Sequence, residues 1–527
     1  MHPKRRELPA ALSAFAVGSH PAPEAKRGAL SHVANLVHID PTPLFPLSPY
    51  LQMQFMEPLG VTDGSVEASW DHDVDAWRSD FVGTVRDLAP GAIRWGGLLS
   101  RYYRWREAVG PVAGRRPMRN YQWGGWETNR VGTAEFVDLC RQVGAAPILS
   151  VNFLSDGHQG FAQTREGNRT GDAHEAADWV SYCNDPDNAA RRAHGATAPH
   201  DVRFWQIGNE TSYGDAGFTK DEAIAHTLTF AREMRARDPS IRLIGWGDRG
   251  RSDDPSLWAR DMIRRAGEHL DCIAIHMMQQ IPTRPDTVLR GRAYQDDPAR
   301  AWAELLELSR GIDARLTELE DIIAAEGART GIAVTEGHLS LAPHNIHPIL
   351  DEWLTGAYHA RALNTYQRHG ARVQIATIAD FNCTRWTVAA VRLQVPRGVS
   401  YLTPAGSVMR LFGRHNGDHS VAIRGTPTEL DVAASRSGDR IFLHVANLSY
   451  DAAVEATFVV DGHIIAGGRI LEIAPEHPRQ AVSQDQPDAL APREHQLAPG
   501  QTVTCRFPPT AVSVVDLQIN ADLSGLP

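Results

Sequence analysis

Between residues 50 and 395, short apolar runs alternate with stretches whose apolar residues recur at three- and four-residue steps. The runs fall at 50–55, 92–95, 147–151, 203–207, 241–246, 272–275, 332–335 and 373–378. Their length and β-branched content predict buried parallel strands. Between them, Val74, Trp77, Phe81, Val85 and Leu88 predict one amphipathic helix, and a longer helical pattern covers 301–325. Thr219-Lys220-Asp221-Glu222 predicts the capped start of another helix. Eight strands alternating with helices predict an α/β fold, a (β/α)8 TIM barrel. The structural alternative is a doubly wound open sheet, whose glycine-rich first turn is absent after Met53-Gln54-Phe55-Met56-Glu57.

After about residue 400 the helical period gives way to β-formers at 439–447, 453–460, 502–507 and 511–519, the pattern of a C-terminal all-β sandwich. A Gln- and Pro-rich stretch at 476–494 predicts a long surface loop. An isolated apolar run at 34–39 needs a partner elsewhere, in the C-terminal domain. The expected organisation is a poorly ordered lead-in at 1–30, a strand at 31–49 contributed to the sandwich, a catalytic barrel at 50–395 and the sandwich at 396–527.

Composition narrows the ligand. The 527 residues are 42% hydrophobic and 22% charged, an ordinary globular balance that suits two domains. A formal charge of -10 argues against nucleic acid or an anionic membrane as partner and favours a neutral ligand. No stretch approaches the ~20 apolar residues of a membrane span. The 5 cysteines are scattered singly, which points to free thiols in a reducing, cytoplasmic setting. The apolar part of the N-terminus is too short and too broken by Pro and Ser for a secretory signal. His338, His344 and His347 lack a metal-ligand spacing and read as polar loop histidines, so no metal and no cofactor is expected.

A barrel gathers the C-terminal ends of its strands on one face, so the residues ending the runs should share a pocket. They are Glu57, Arg94 with Trp95, Asn152, Asn209 with Glu210, Trp246 to Asp248, His276, Glu336, and Asp380 with Asn382. Amides and carboxylates match hydroxyl groups, and indole rings pack on the apolar face of a sugar. Two strand-terminal glutamates supply what glycoside cleavage needs: one carboxyl to protonate the leaving oxygen, one carboxylate to attack the anomeric carbon. Glu210 is assigned as acid/base and Glu336 as nucleophile. Asp351-Glu352-Trp353 competes for the second role but sits in a helical pattern at 349–366, where a Glu is an ordinary surface charge. His276 is placed near the nucleophile, and Arg94 either touches sugar or pairs with a barrel carboxylate.

Gly208-Asn209-Glu210 resembles the acid/base motif of clan A glycosidases, and the wider likeness is to the α-L-arabinofuranosidases of glycoside hydrolase family 51. Phe55-Met56-Glu57-Pro58-Leu59-Gly60, Ile93-Arg94-Trp95-Gly96-Gly97, Tyr103-Arg104-Trp105 and Trp123 before Glu127-Thr128-Asn129 carry it, with Tyr182-Cys183-Asn184 and Arg191 to Gly195. The resemblance implies a retaining, exo-acting hydrolase without metal, a carbohydrate substrate and a homo-oligomer. It places Glu57, Arg94 and Asn152 on the glycone, Asn209 on its 2-hydroxyl and Trp123 in the pocket wall. Three departures bear on specificity: Leu98 stands where the family has Asn, Met278 where it has Tyr, and Thr335-Glu336-Gly337-His338 where it has Asp-Glu-Trp-Asn. A site that loses hydroxyl-reading partners should change its preferred sugar. Another furanosidase, releasing galactofuranose or a D-sugar, and a catalytically silent carbohydrate-binding barrel are the alternatives.

Overall fold

The computed structural model describes residues 35–213, 217–280, 282, 284–343, 345–396 and 398–521. The lead-in expected at 1–30 and His344 lie outside them. The architecture is mixed α/β with two large curled sheets. The first has eleven strands. Eight of these are consecutive neighbours and parallel throughout: Met53–Met56, Ala92–Trp95, Ala146–Val151, Phe204–Ile207, Arg242–Trp246, Cys272–Gln280, Gly331–Ser340 and Val373–Ile375. Each matches a run read from the sequence, and the sixth and seventh extend several residues further. The sheet curls far enough that Ala376 N donates to Tyr50 O at 3.1 Å and Met53 N donates to Ala376 O at 2.8 Å, joining the eighth strand's end to the first strand's start. Asp380–Cys383, Ala389–Arg392 and Tyr401–Leu402 add three strands beyond the expected set, the first of them paired with Met53–Met56 through Asp380 and Phe55.

The nine-stranded second sheet is built from residues after 418 plus Leu36–Pro46, which pairs antiparallel with His419–Arg424 and parallel with Val454–Val460. Alternation explains the capture of this early strand: Val37 and Ile39 are buried among Leu443, Phe458 and Leu517. A separate apolar cluster runs from the first sheet through the helix Gly356–Arg368 to Phe442 and Val512 of the second sheet.

Several elements differ from the pattern reading. The helix expected to begin at Val74 begins at Ser79 and ends at Leu88. Val74 is exposed in a turn closed by the Asp71 carboxylate on Asp73 N, and Trp77 pairs across a two-residue strand with Trp70 instead. Helical spacing there is coincidental, because the turn and the Trp70–Trp77 ring contact at 5.2 Å take those residues first. The β-only expectation after 400 misses the helix Pro404–Gly413, which has Pro in its first turn and is capped by Thr403 Oγ1 on Gly406 N. The helices Lys220–Arg237, with its Thr219/Glu222 capping box, and Pro298–Ala325 lie where their patterns put them.

The segment 476–494 folds back onto the first sheet's helical layer, burying Val482 and Leu490. It accepts from Trp353 N through Gln480 O, and Arg479 pairs with Glu352 at 2.9 Å. Glu352 stands in extended backbone between two single 3-10 turns, not in the helix expected at 349–366, which begins at Gly356. With Tyr294 OH donating to it at 2.7 Å, its carboxylate is committed to this clasp.

His359 on the helix Gly356–Arg368 is buried with neither ring nitrogen bonded, and burial pushes its pKa down to about 3. The folded protein therefore refuses a proton that the unfolded chain accepts near pH 6.5. This contribution to stability is whole above pH 6.5 and is lost as pH falls toward 3. Relative to wild type, His359→Phe should gain about 2 kcal/mol of unfolding free energy between pH 8 and pH 5, measured by urea denaturation at both.

Candidate active site

The ends of the parallel strands bring the expected residues together in part. Phe204–Ile207 stops at Gly208, which adopts φ +79°, and Glu210 itself sits at φ +58°. A non-glycine residue in that left-handed region is held there by its surroundings, a mark of a constrained functional turn. The sixth and seventh strands pair His276 with Glu336 across a register shift that leaves Thr335 as the extra residue, a bulge that re-aims the side chains beyond it. Gly337 is required at the next position, because a Cβ there would come 2.4 Å from Thr377 O of the adjoining chain. That close approach explains why this chain has no large residue after Glu336.

His276 Nδ1 lies 3.0 Å from Glu210 Oε1 and 3.5 Å from Glu336 Oε2. Facing two carboxylate oxygens, Nδ1 is the protonated nitrogen. Burial lowers the His276 pKa to about 4, so the ring is neutral at neutral pH. Trp246 meets it edge-on at 4.6 Å, and Asp248 accepts from its backbone N–H at 3.1 Å. Asp248 also receives Tyr213 OH and Arg315 Nη2, both at 2.7 Å. Tyr213 and Arg315 were not among the sequence candidates: one lies in an irregular loop and the other inside a long helix, and only folding points them at Asp248.

Arg94 is wholly buried. Its Nη1 donates to Glu336 Oε1 at 3.0 Å, Nη2 to Asn209 Oδ1 at 2.6 Å and Nε to Ser150 Oγ at 3.2 Å. The guanidinium therefore pairs with a carboxylate, one of the two readings the sequence left open. Burial is the largest influence on Glu336 and raises its pKa, Glu210 adds to the rise, and the Arg94 charge opposes it, as His276 does only when protonated. With His276 neutral, Arg94 is the cation beside Glu336 that favours its ionised form. Arg94→Gln should move the acidic limb of kcat/KM upward by about one pH unit or more, checked by a pH–rate profile.

Glu57 Oε1 accepts from Leu99 N at 2.7 Å and from Trp123 Nε1 at 3.2 Å. Burial first, then the charge of Glu336, hold its pKa well above the carboxylate range. Gly97 makes room for it, since a Cβ there would lie 2.5 Å from Glu57 Oε2. Asn209 Nδ2 is buried without a hydrogen-bond partner among the described residues. Asn152 differs: its Nδ2 donates to Arg169 O at 2.6 Å and its Oδ1 accepts from Ser155 N at 2.9 Å, so it shapes the loop around it. His338 belongs to the seventh strand, not to a loop, with Nδ1 3.1 Å from Asp380 Oδ1 and Nε2 3.1 Å from Ser340 Oγ. Leu98 and Met278 are half-buried.

Glu210, His276 and Glu336 each offer one ligand atom, all within 4.8 Å of one another. That spacing is compatible with a metal ion, but the guanidinium on Glu336 already puts a fixed positive charge there. Two carboxylates, an interposed neutral imidazole and a buried arginine are the parts of an acid/base and nucleophile pair.

The family described as alpha-L-arabinofuranosidase 1 domain matches residues 84–296. An intracellular exo-alpha-(1->5)-L-arabinofuranosidase of Halalkalibacterium halodurans is 26% identical over 346 residues, covering 62% of this chain and 65% of that protein. The Bacillus subtilis intracellular exo-alpha-(1->5)-L-arabinofuranosidase 1 is 31% identical over 236 residues, 42% of this chain and 44% of that one. The solved GH51 arabinofuranosidase from Xanthomonas axonopodis pv. citri superposes with a TM-score of 0.76 at 21% identity, covering 92% of this chain and 99% of that chain. In sequence and fold, the chain is glycoside hydrolase family 51-like. The sequence matches span from about a third to about two thirds of the curated relatives' lengths. Within the matched segment lie Arg94, Asn209, Glu210 and His276 of the family 51-like chain, while Glu57 and Glu336 lie outside it. Among its described residues no helix is long and apolar enough to cross a membrane, and all five cysteines are buried and unpaired.

Proposed function

We propose that this family 51-like chain is a retaining, exo-acting glycoside hydrolase that removes terminal α-L-arabinofuranosyl residues. The observation that carries the reading is the meeting of Glu210, His276 and Glu336 within 4.8 Å. Carboxylate oxygens that close fit the about 5–5.5 Å separation of retaining pairs better than the about 6.5–9.5 Å of inverting ones. The same reading assigns residues 50–395 to a (β/α)8 barrel and 396–527 to a β-sandwich completed by the strand within 31–49.

In the first step Glu336 attacks the anomeric carbon, its new C–O bond forming as the bond to the leaving oxygen breaks, and Glu210 gives that oxygen its proton. In the second, Glu210 takes a proton from water, whose oxygen displaces Glu336 and frees the sugar. Arg94 orients Glu336 and Asn209 together, and the unpartnered Asn209 Nδ2 is the donor for a sugar hydroxyl. Burial and Glu336 push the Glu57 carboxyl toward its protonated form, in which it can donate to a second hydroxyl as well as accept. His276 donates to Glu210 and passes no proton of its own at neutral pH.

A panel of nitrophenyl glycosides, with the first-formed sugar followed by proton NMR, tests this. The expected result is fastest cleavage of the α-L-arabinofuranoside with the α anomer appearing first. Preference for a galactofuranoside would reassign the sugar, and binding without hydrolysis of any glycoside would favour a silent binding barrel.

A further inference from the structure

We infer that Trp386, with Trp123, forms a subsite for the sugar ring that leaves, the unit to which the removed residue was attached. This rests on the hydrolase reading above. The loop Thr384 to Trp386 follows the strand Asp380–Cys383, which lies beside the strand Met53–Met56 that leads into Glu57. Its conformation is imposed by one carboxylate. Buried Asp63 accepts from Thr384 N at 2.8 Å, Thr384 Oγ1 at 3.0 Å, Arg385 N at 2.7 Å and Trp386 N at 2.8 Å. On the other side, Arg392 Nη1 donates to Trp386 O at 2.7 Å. A loop held this tightly loses little entropy on binding a ligand, which is what a preorganised contact requires.

The held ring is half-buried and meets Trp123 edge to face, centroids 5.5 Å apart and planes at 84°. Trp123 in turn donates to Glu57, so the pair makes an aromatic corner reaching outward from the carboxylate cluster. The groups assigned to the removed sugar, Glu57, Asn209 and Glu336, are all buried, whereas Val61, which accepts from Arg385 Nη2 beside Trp386 at 2.6 Å and donates to Gly124 O beside Trp123 at 3.1 Å, is 69% exposed. A wall that begins at the buried cluster and ends in solvent lies where the remainder of an exo-cleaved chain must sit. Two perpendicular indoles offer apolar faces to the C–H face of a pyranose or furanose ring.

The test compares two substrates: an α-L-arabinofuranosyl oligosaccharide, whose leaving group is a sugar, and α-L-arabinofuranosyl fluoride, which has no leaving ring. Trp386→Ala should lower kcat/KM for the oligosaccharide about tenfold, mainly through KM, while leaving hydrolysis of the fluoride unchanged. Trp386→Phe should recover most of the loss. Equal losses on both substrates, or no loss on the oligosaccharide, would overturn the subsite while leaving the hydrolase reading intact. A wild-type protein that turns over neither substrate would remove that reading and the subsite with it. If Trp386→Ala does not fold, Trp386→Phe and Trp386→Leu compared on the two substrates decide the question in the same way.

Discussion

Glu336→Ala should lower kcat on an arabinofuranoside on the order of 10⁴-fold, because the covalent step then has no attacking group while binding is largely retained. Small-to-moderate loss is not expected from this site: Arg94, Asn209 and His276 are all arranged around the missing carboxylate, and none of them can form the bond in its place. Added azide should enter the vacated space on the same face as Glu336. From an α-arabinofuranoside it would then give the β-azide, a single inversion. Wild-type turnover in this variant would end the assignment, and recovery of the α-azide would exchange its role with that of Glu210.

Glu210→Ala should behave differently with different leaving groups. General acid catalysis contributes about 10²–10⁴-fold, and that contribution matters most when the leaving oxygen is a poor one. Loss on a sugar leaving group should therefore approach the upper end, while a dinitrophenyl glycoside should lose little in its first step and accumulate the glycosyl-enzyme. Azide should now act in the second step, attacking from the face where Glu210 stood, and give the α-azide by double inversion. The two variants thus report opposite anomers from one substrate, which separates the roles without relying on rate alone. His276 supports the difference: its Nδ1–H bonds to Glu210 at 3.0 Å, so removing that carboxylate leaves a buried donor facing Glu336 at 3.5 Å.

The departures from the family motifs bear on which sugar the proposed hydrolase prefers. Gly337 yields to the backbone at Thr377, and His338 spends both nitrogens on Asp380 and Ser340. The half-buried Leu98 and Met278 bring no hydroxyl-reading group. On the proposed reading Glu57 and Asn209 read the sugar hydroxyls, and His276 Nε2 is a further buried polar atom at the site without a hydrogen-bond partner among the described residues. Because Glu57 is raised by burial and by Glu336, its donor capacity is linked to the ionisation of the nucleophile.

Much of this was legible one-dimensionally because the signals were local. The eight parallel strands are short, mainly apolar runs, as strands covered on both faces tend to be, with isolated polar residues such as Arg94 and Ser150 turned to the site. Glu210 and Glu336 stood out because each ends such a run. The Thr219/Glu222 box announced a helix because its hydrogen bonds span three residues. Local reading failed where a nearby or distant partner outweighed spacing: Trp77 left its helix for Trp70, and Glu352 left its helix for Tyr294 and Arg479. Trp386 could not be singled out at all, because the carboxylate that shapes its loop is more than three hundred residues away in the chain.

By itself the sequence determined the eight parallel strands of the first sheet, the two glutamates and the family likeness, all of which depend on periodicity and short motifs. Only the tertiary structure decided that Arg94 holds Glu336 and Asn209, that Asn152 serves its own loop, that Asp63 shapes the Trp386 loop, and that Leu36–Pro46 lies between His419–Arg424 and Val454–Val460 in the second sheet. The physical reason is common to all four. Each is the satisfaction of a buried charge, amide or strand edge by a partner distant in sequence, and burial, which sets how much that partner is worth, exists only once the chain has folded.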